Sequence, residues 1–185
     1  MRGLRKNNKG YSLVELIIVV AIIAVIGLGA TWSIILVFSA NAKTCSNDIV
    51  NAIAECKIMT MTKGQGNVRL IIYRDGAGGT IYGELQTRET ASSPWTTIKD
   101  EKQKIGASRC SVGTSDGADD IPTGPDGAWG FYFDRSTGKL LNPAEAGITN
   151  VNDTTYVDEM HVLGGRKKYL IQIEKLTGKV TKKLR

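Results

Sequence analysis

The sequence predicts an α+β protein: a long N-terminal hydrophobic helix packed on a small antiparallel β-sheet head. Three observations predict it. Residues 16–38 are 23 consecutive uncharged positions, diluted only by Gly27, Gly29, Thr31 and Ser33. Beyond them Ala42, Cys45, Ile49, Ala52, Cys56 and Met59 recur at spacings of three and four, the stripe of an amphipathic helix. After Lys63 the pattern changes to short alternating runs separated by glycine-bearing turns, the mark of antiparallel hairpins.

The chain has 185 residues, room for a helix and one head. The reading divides it into a leader over 1–10, a helix over 11–63 and a β-rich head over 64–185. Arg2, Arg5, Lys6 and Lys9 precede the apolar run with no acid among them. The run itself covers ~34 Å at ~1.5 Å per residue, enough to cross a hydrocarbon core of ~30 Å. Retention of positive charge on the cytoplasmic side leaves the N-terminus inside and everything after Phe38 outside. Four of the net +6 charges lie in the leader, so the overall charge implies no nucleic acid partner.

The junction Lys9-Gly10-Tyr11-Ser12-Leu13-Val14-Glu15-Leu16 carries the most information. A carboxylate at the edge of an uninterrupted apolar span is costly, ~2.5–3.5 kcal/mol at a helix centre and less near the interface. A cut before Tyr11 creates a compensating α-amine at the tip of the helix. This stretch resembles the processing site of type IV prepilins and type II secretion pseudopilins: a short basic leader ending in Gly, an aromatic residue, Ser or Thr, two aliphatics, Glu, then a long apolar helix. Gly10, Tyr11, Ser12, Leu13, Val14 and Glu15 fill those places in order. Tyr11 replaces the usual Phe, and the helix-kinking proline common in pilus subunits is absent, since the first proline is Pro94.

The resemblance covers residues 1 to about 40. It implies a pilin-like fold, cleavage between Gly10 and Tyr11 by a membrane prepilin peptidase, N-methylation of Tyr11, and an assembly role for Glu15 against a neighbour's α-amine. It also implies partners: other pilin or pseudopilin subunits, the peptidase, an inner-membrane assembly platform and the membrane itself. The chain would begin as a single-pass membrane protein with an extracytoplasmic head and end in an extracellular filament. Two alternatives stand beside this. Ala40-Asn41-Ala42 mimics a secretory cleavage site, which would release an extracellular binding protein starting at Lys43. A plain anchor would instead leave a membrane-tethered binding protein starting at Met1.

Within the head, residues 68–74 and 80–87 flank Asp75-Gly76-Ala77-Gly78-Gly79. Residues 129–134 and 139–141 flank Arg135-Ser136-Thr137-Gly138, and residues 169–174 and 179–182 flank Lys175-Leu176-Thr177-Gly178. The last two share one pattern and are read as hairpins with the same turn. From 110 to 160 nine acids face two bases, and from 164 to 185 eight bases face one acid. Such poles suit packing between heads.

No enzyme is expected. His161 is the only histidine, which removes most zinc sites and Ser-His-Asp arrangements. Gly76-Ala77-Gly78-Gly79 is a hairpin turn and not a phosphate cradle, because no helix pattern follows it. No cofactor is implied beyond calcium, for which Asp116, Asp119, Asp120 and Asp126 supply hard oxygen ligands on a Gly/Pro loop. Of the three cysteines, Cys45 and Cys56 stand eleven residues apart on one helix, ~16 Å along its axis and too far to bridge. Cys110 can pair with Cys45 or with Cys56, or all three can be buried thiols.

Overall fold

The computed structural model describes residues 12–63, 67–90, 92–98, 102–106, 110–148 and 154–185, with the side chains of 28–32 excepted. One α-helix, α1, runs from Leu13 to Lys63 over 51 residues. Among the described residues eleven strands follow: β1 (Val68–Arg74), β2 (Ile81–Thr87), β3 (Thr96–Thr97), β4 (Gln103–Ile105), β5 (Ser111–Gly113), β6 (Ala128–Phe133), β7 (Leu140–Leu141), β8 (Thr154–Thr155), β9 (Glu159–Gly164), β10 (Lys167–Ile173) and β11 (Val180–Leu184). The chain is thus α+β, with a helix packed on antiparallel sheets.

The head differs from the single small sheet expected. It holds two sheets, one ordered β3-β2-β1-β6-β7 with β4 also on β2 and β8 on β6, the other ordered β11-β10-β9-β5. One ladder is parallel, Ala128↔Thr154 and Trp129↔Thr155 between β6 and β8. Both sheets lean on the upper helix. Ala42, Cys45, Ile49, Ala52, Ile53 and Cys56 are buried against alternate residues of four strands: Leu70 and Ile72, Phe131 and Phe133, Met160 and Val162, Ile171 and Ile173. Period-two alternation sends one set of each strand's side chains to the helix.

Strands β1 and β6 are buried along their whole length because their other face is covered too. There Tyr132, Leu141, Ala146 and Ile148 form one cluster, and Ile71, Tyr73 and Ala128 another. Polar side chains on that face are linked in series. Arg69 Nε donates to Gln86 Oε1 at 2.7 Å, Gln86 Nε2 to Glu84 Oε2 at 3.1 Å, and the Tyr73 hydroxyl to Glu84. Burial, followed by that hydrogen bond to Glu84, raises the Tyr73 phenol above its ordinary range.

The two look-alike turns have the same geometry. Gly138 N–H donates to the Asp134 carbonyl at 3.0 Å, and Gly178 N–H to the Glu174 carbonyl at 2.7 Å. In each, the threonine hydroxyl accepts the lysine N–H two residues on, at 3.2 Å. They also stack on each other, with Leu140 N–H donating to the Lys175 carbonyl at 3.0 Å. Lys57 of the helix donates to the Thr177 carbonyl at 2.7 Å, so the pair of turns clasps the upper helix.

The hairpin β9–β10 was not read from the sequence. Its turn at Gly164-Gly165-Arg166 follows the alternating Met160-His161-Val162-Leu163, a short-range hairpin signal that was available. Gly165 has φ +59°, and a Cβ there would lie 2.6 Å from the Ile35 carbonyl. This turn rests on the helix at Ile35 and Ser39, and Arg166 N–H donates to Ser39 Oγ at 3.3 Å.

Candidate functional site

The lower helix carries the residues to which the sequence assigns assembly. Ser12 stands before the first helical residue. Its carbonyl accepts the Leu16 N–H at 3.1 Å, and its hydroxyl lies 3.4 Å from the Val14 N–H, the arrangement of a helix N-cap. Glu15 lies in the first turn, where the unpaired N–H groups of the helix end favour a negative charge. It is exposed, and no basic side chain among the described residues pairs with it. Gly10 and Tyr11, the expected cleavage and methylation positions, lie outside the described residues.

Above Glu15 the helix is apolar on every side. Leu16, Ile17, Ile18, Val19, Val20, Ile22, Ile23, Val25 and Ile26 are all exposed. Ile18, Ala21, Ile22, Val25 and Ile26 line a shallow apolar groove at spacings of three, one, three and one, the geometry into which side-chain ridges of a second helix fit. Contiguous exposed apolar area of this extent marks a contact surface. Among the described residues no helix is long and apolar enough to cross a membrane. The 16–38 span read from the sequence passes through 28–32, whose side chains lie outside the described residues.

The acidic loop is organised by partners within the chain. Asp119 Oδ1 accepts Arg74 Nη2 at 2.6 Å and Val112 N–H at 3.2 Å. Asp120 accepts the Thr114 N–H at 2.7 Å and its hydroxyl, Asp116 accepts Lys168 Nζ at 3.1 Å, and Asp126 is exposed. Among the described residues no three His, Cys, Asp or Glu side chains gather to hold a metal ion. The charged poles also meet inside the subunit, through Lys168–Asp116 at 3.1 Å and Lys175–Asp158 at 2.9 Å. These exposed pairs are screened by solvent and are worth little individually.

The structure brings Cys110 to Cys45, with their sulfurs 2.8 Å apart, and leaves Cys56 elsewhere on the helix with its thiol toward the Phe131 carbonyl at 3.7 Å. His161 contacts Glu159 at 3.2 Å. The side chain the sequence reading missed here is Arg74. It is buried, and its guanidinium joins the Gly79 carbonyl, the Cys110 carbonyl and Asp119.

No curated protein and no solved structure matches this chain. Residues 5–31 match the family model of the prokaryotic N-terminal methylation motif. That match spans Gly10, Tyr11 and Glu15 and ends within the apolar run. The chain therefore carries, over residues 5–31, the prepilin-type cleavage and methylation segment of type IV pilins and pseudopilins.

Proposed function

We propose that this chain is a structural subunit of a type IV pilin-class filament, cut between Gly10 and Tyr11, methylated on Tyr11 and assembled through its lower helix. The observation that carries the reading is the methylation segment at 5–31 leading into a helix with exposed, unpartnered apolar residues. In this reading residues 16–38 first sit in the bilayer, with the head on the outer side. On extraction the apolar surfaces of neighbouring helices bury one another, and apolar burial supplies the adhesion.

Glu15 then meets the α-amine of an adjacent subunit. In a dry interface that pair sets register, because a mis-stacked subunit leaves a charge buried and unpaired. The filament is a surface pilus, a secretion pseudopilus or a DNA-uptake pilus. Deleting the gene separates these by the trait lost: surface fibres, protein export or transformation.

Mass spectrometry of the protein from a host with prepilin peptidase tests the reading. The expected N-terminus is Tyr11, one methyl heavier. An intact Met1, or a start at Lys43, would overturn it in favour of an anchor or a secreted protein.

A further inference from the structure

The proposed assembly leaves the cysteines without a role, and their placement gives them one. Cys45 lies on the buried stripe of α1, and Cys110 opens the approach to β5. Their sulfurs are 2.8 Å apart, so closing by about 0.8 Å would reach the ~2.05 Å of a bond. Gly106 and Cys110 are each held in place by side chains of the helix and of β1. On the helix side Gly106 N–H donates to Asp48 Oδ2 at 2.8 Å, and the Gly106 backbone passes directly over Cys45. On the sheet side Arg74 Nη2 donates to the Cys110 carbonyl at 3.2 Å while holding Asp119 at 2.6 Å. Cys56 lies eleven residues further along the helix, with its thiol toward the Phe131 carbonyl at 3.7 Å.

The three thiols also differ in character. Contact with Cys45, and after it the Arg74 guanidinium, bring the Cys110 thiol below its ordinary range. The Cys45 thiol is raised, first by its contact with Cys110 and then by burial, while burial pushes Cys56 up to about 12.

We propose that Cys45 and Cys110 form a disulfide in the exported protein, tying the helix to the head, and that Cys56 stays a thiol. The inference rests on the export reading for its oxidising compartment. The oxidant is a disulfide donor, either a thiol–disulfide oxidoreductase or a small-molecule disulfide. The Cys110 thiolate attacks one donor sulfur and expels one donor thiol. Cys45, deprotonated, attacks the Cys110 sulfur of the mixed disulfide and expels the second. The two protein thiols together lose two protons and two electrons, and the donor disulfide gains both as two thiols. Both sulfurs are buried in the finished fold, so the exchange accompanies docking of helix and head.

The bond lies near the lower edge of the helix–head interface, about two helical turns above the contact of the β9–β10 turn with Ser39. A subunit drawn from a bilayer by its head is pulled across this seam, and a covalent tie there keeps the helix from peeling away.

The test counts thiols on the full chain purified in detergent from a peptidase-competent host. The protein is denatured, alkylated with N-ethylmaleimide without reduction, weighed intact and then mapped. A chain starting at Tyr11 should take one adduct, on Cys56, and yield a linked Cys45–Cys110 peptide. Reduction should raise its unfolding equilibrium constant on the order of a hundredfold, and Cys56→Ser should leave the linkage intact. A chain starting at Tyr11 with three adducts, or with a Cys45–Cys56 link, overturns the disulfide and leaves the filament reading standing. A chain that retains Met1 counts against export instead. The same full-length protein in micelles is then treated with oxidised glutathione. One adduct with the Cys45–Cys110 link upholds the pair, and three adducts or stable glutathione adducts on both cysteines overturn it.

Discussion

The two halves of α1 are built from similar residues and meet different fates. Leu16 and Ile22 are 60 % and 53 % exposed, whereas Ile49 and Ile53, three to four turns beyond Phe38, are fully buried. The boundary falls where the β9–β10 turn rests on Ile35 and Ser39. Above it the apolar positions form a stripe, with Asn47, Asp48, Glu55 and Lys57 on other faces, and the head of the same chain covers the stripe. Below it the apolar residues from Leu16 to Ile26 are exposed on every side, with no cover from the rest of the chain among the described residues. The difference teaches that the upper half is completed by folding and the lower half by another phase or another molecule.

The strongest way to break this comparison is Glu15→Ala. A plain anchor tolerates the change, since it removes a charge beside an apolar span. A filament subunit does not, because the neighbour's α-amine is left unpaired at a cost of ~3–5 kcal/mol. Tagged subunit should be lost from sheared filaments while membrane levels hold. Normal incorporation at wild-type membrane levels would falsify the role given to the lower helix.

Two truncations of one residue type sharpen the contrast. Ile53→Ala opens a cavity under the head and should lower its stability by ~2–5 kcal/mol in urea unfolding followed by tryptophan fluorescence. Ile22→Ala should leave that transition within ~0.5 kcal/mol and yet reduce filament yield. Equal effects on head stability would mean that the halves are not separate.

Gly178→Ala probes the clasp at the top of the helix. Gly178 has φ +58°, and an added Cβ would lie 2.1 Å from the Gly138 carbonyl oxygen, a backbone atom that cannot step aside. The stacked turns should separate, with a loss of ~1–3 kcal/mol in head stability and no change in N-terminal processing. Wild-type stability would show that the clasp does not hold the upper helix.

The smallest effect is at Asp134. Its carboxyl is brought down to about 2 by hydrogen bonds from the Thr137 hydroxyl, the Ser136 hydroxyl and the Thr137 N–H. The folded value lies below the ~3.9 of an unfolded aspartate, so its contribution is complete above that pH and is lost as pH falls through about 2. Asp134→Asn should lower the urea midpoint slightly at neutral pH, and the gap should close between pH about 4 and about 2. A carboxyl 13C titration with its midpoint near 4 would remove the effect.

Much of this was legible without coordinates. The leader junction, the helix to Lys63 and the hairpins β1–β2, β6–β7 and β10–β11 follow from charge order, 3.6- and 2-residue periodicity and turn residues, all local properties. The β9–β10 hairpin is legible too, in the alternation of Met160-His161-Val162-Leu163 and the Gly164-Gly165 that follows it. The calcium reading drew on the density of aspartates along the chain. The fold gives Asp119 to Arg74, Asp120 to Thr114 and Asp116 to Lys168, partners at sequence distances of 45, 6 and 52.

What the sequence determined alone is the methylation segment at 5–31, the long helix with its bare lower half, and a β-rich head with matched turns. Only the tertiary structure decided that β1 lies between β2 and β6, that β8 pairs in parallel, and that the charged poles meet within one subunit. It also decided between Cys45 and Cys56. Eleven residues are ~3.06 turns, so both cysteines sit on the same face, and no local property distinguishes them as partners for Cys110. The choice depends on how high along the helix the sheet docks. That height is set by the fit of Ile49, Ile53 and Cys56 against β1, β6, β9 and β10, contacts between residues far apart in the chain that no short stretch of sequence encodes.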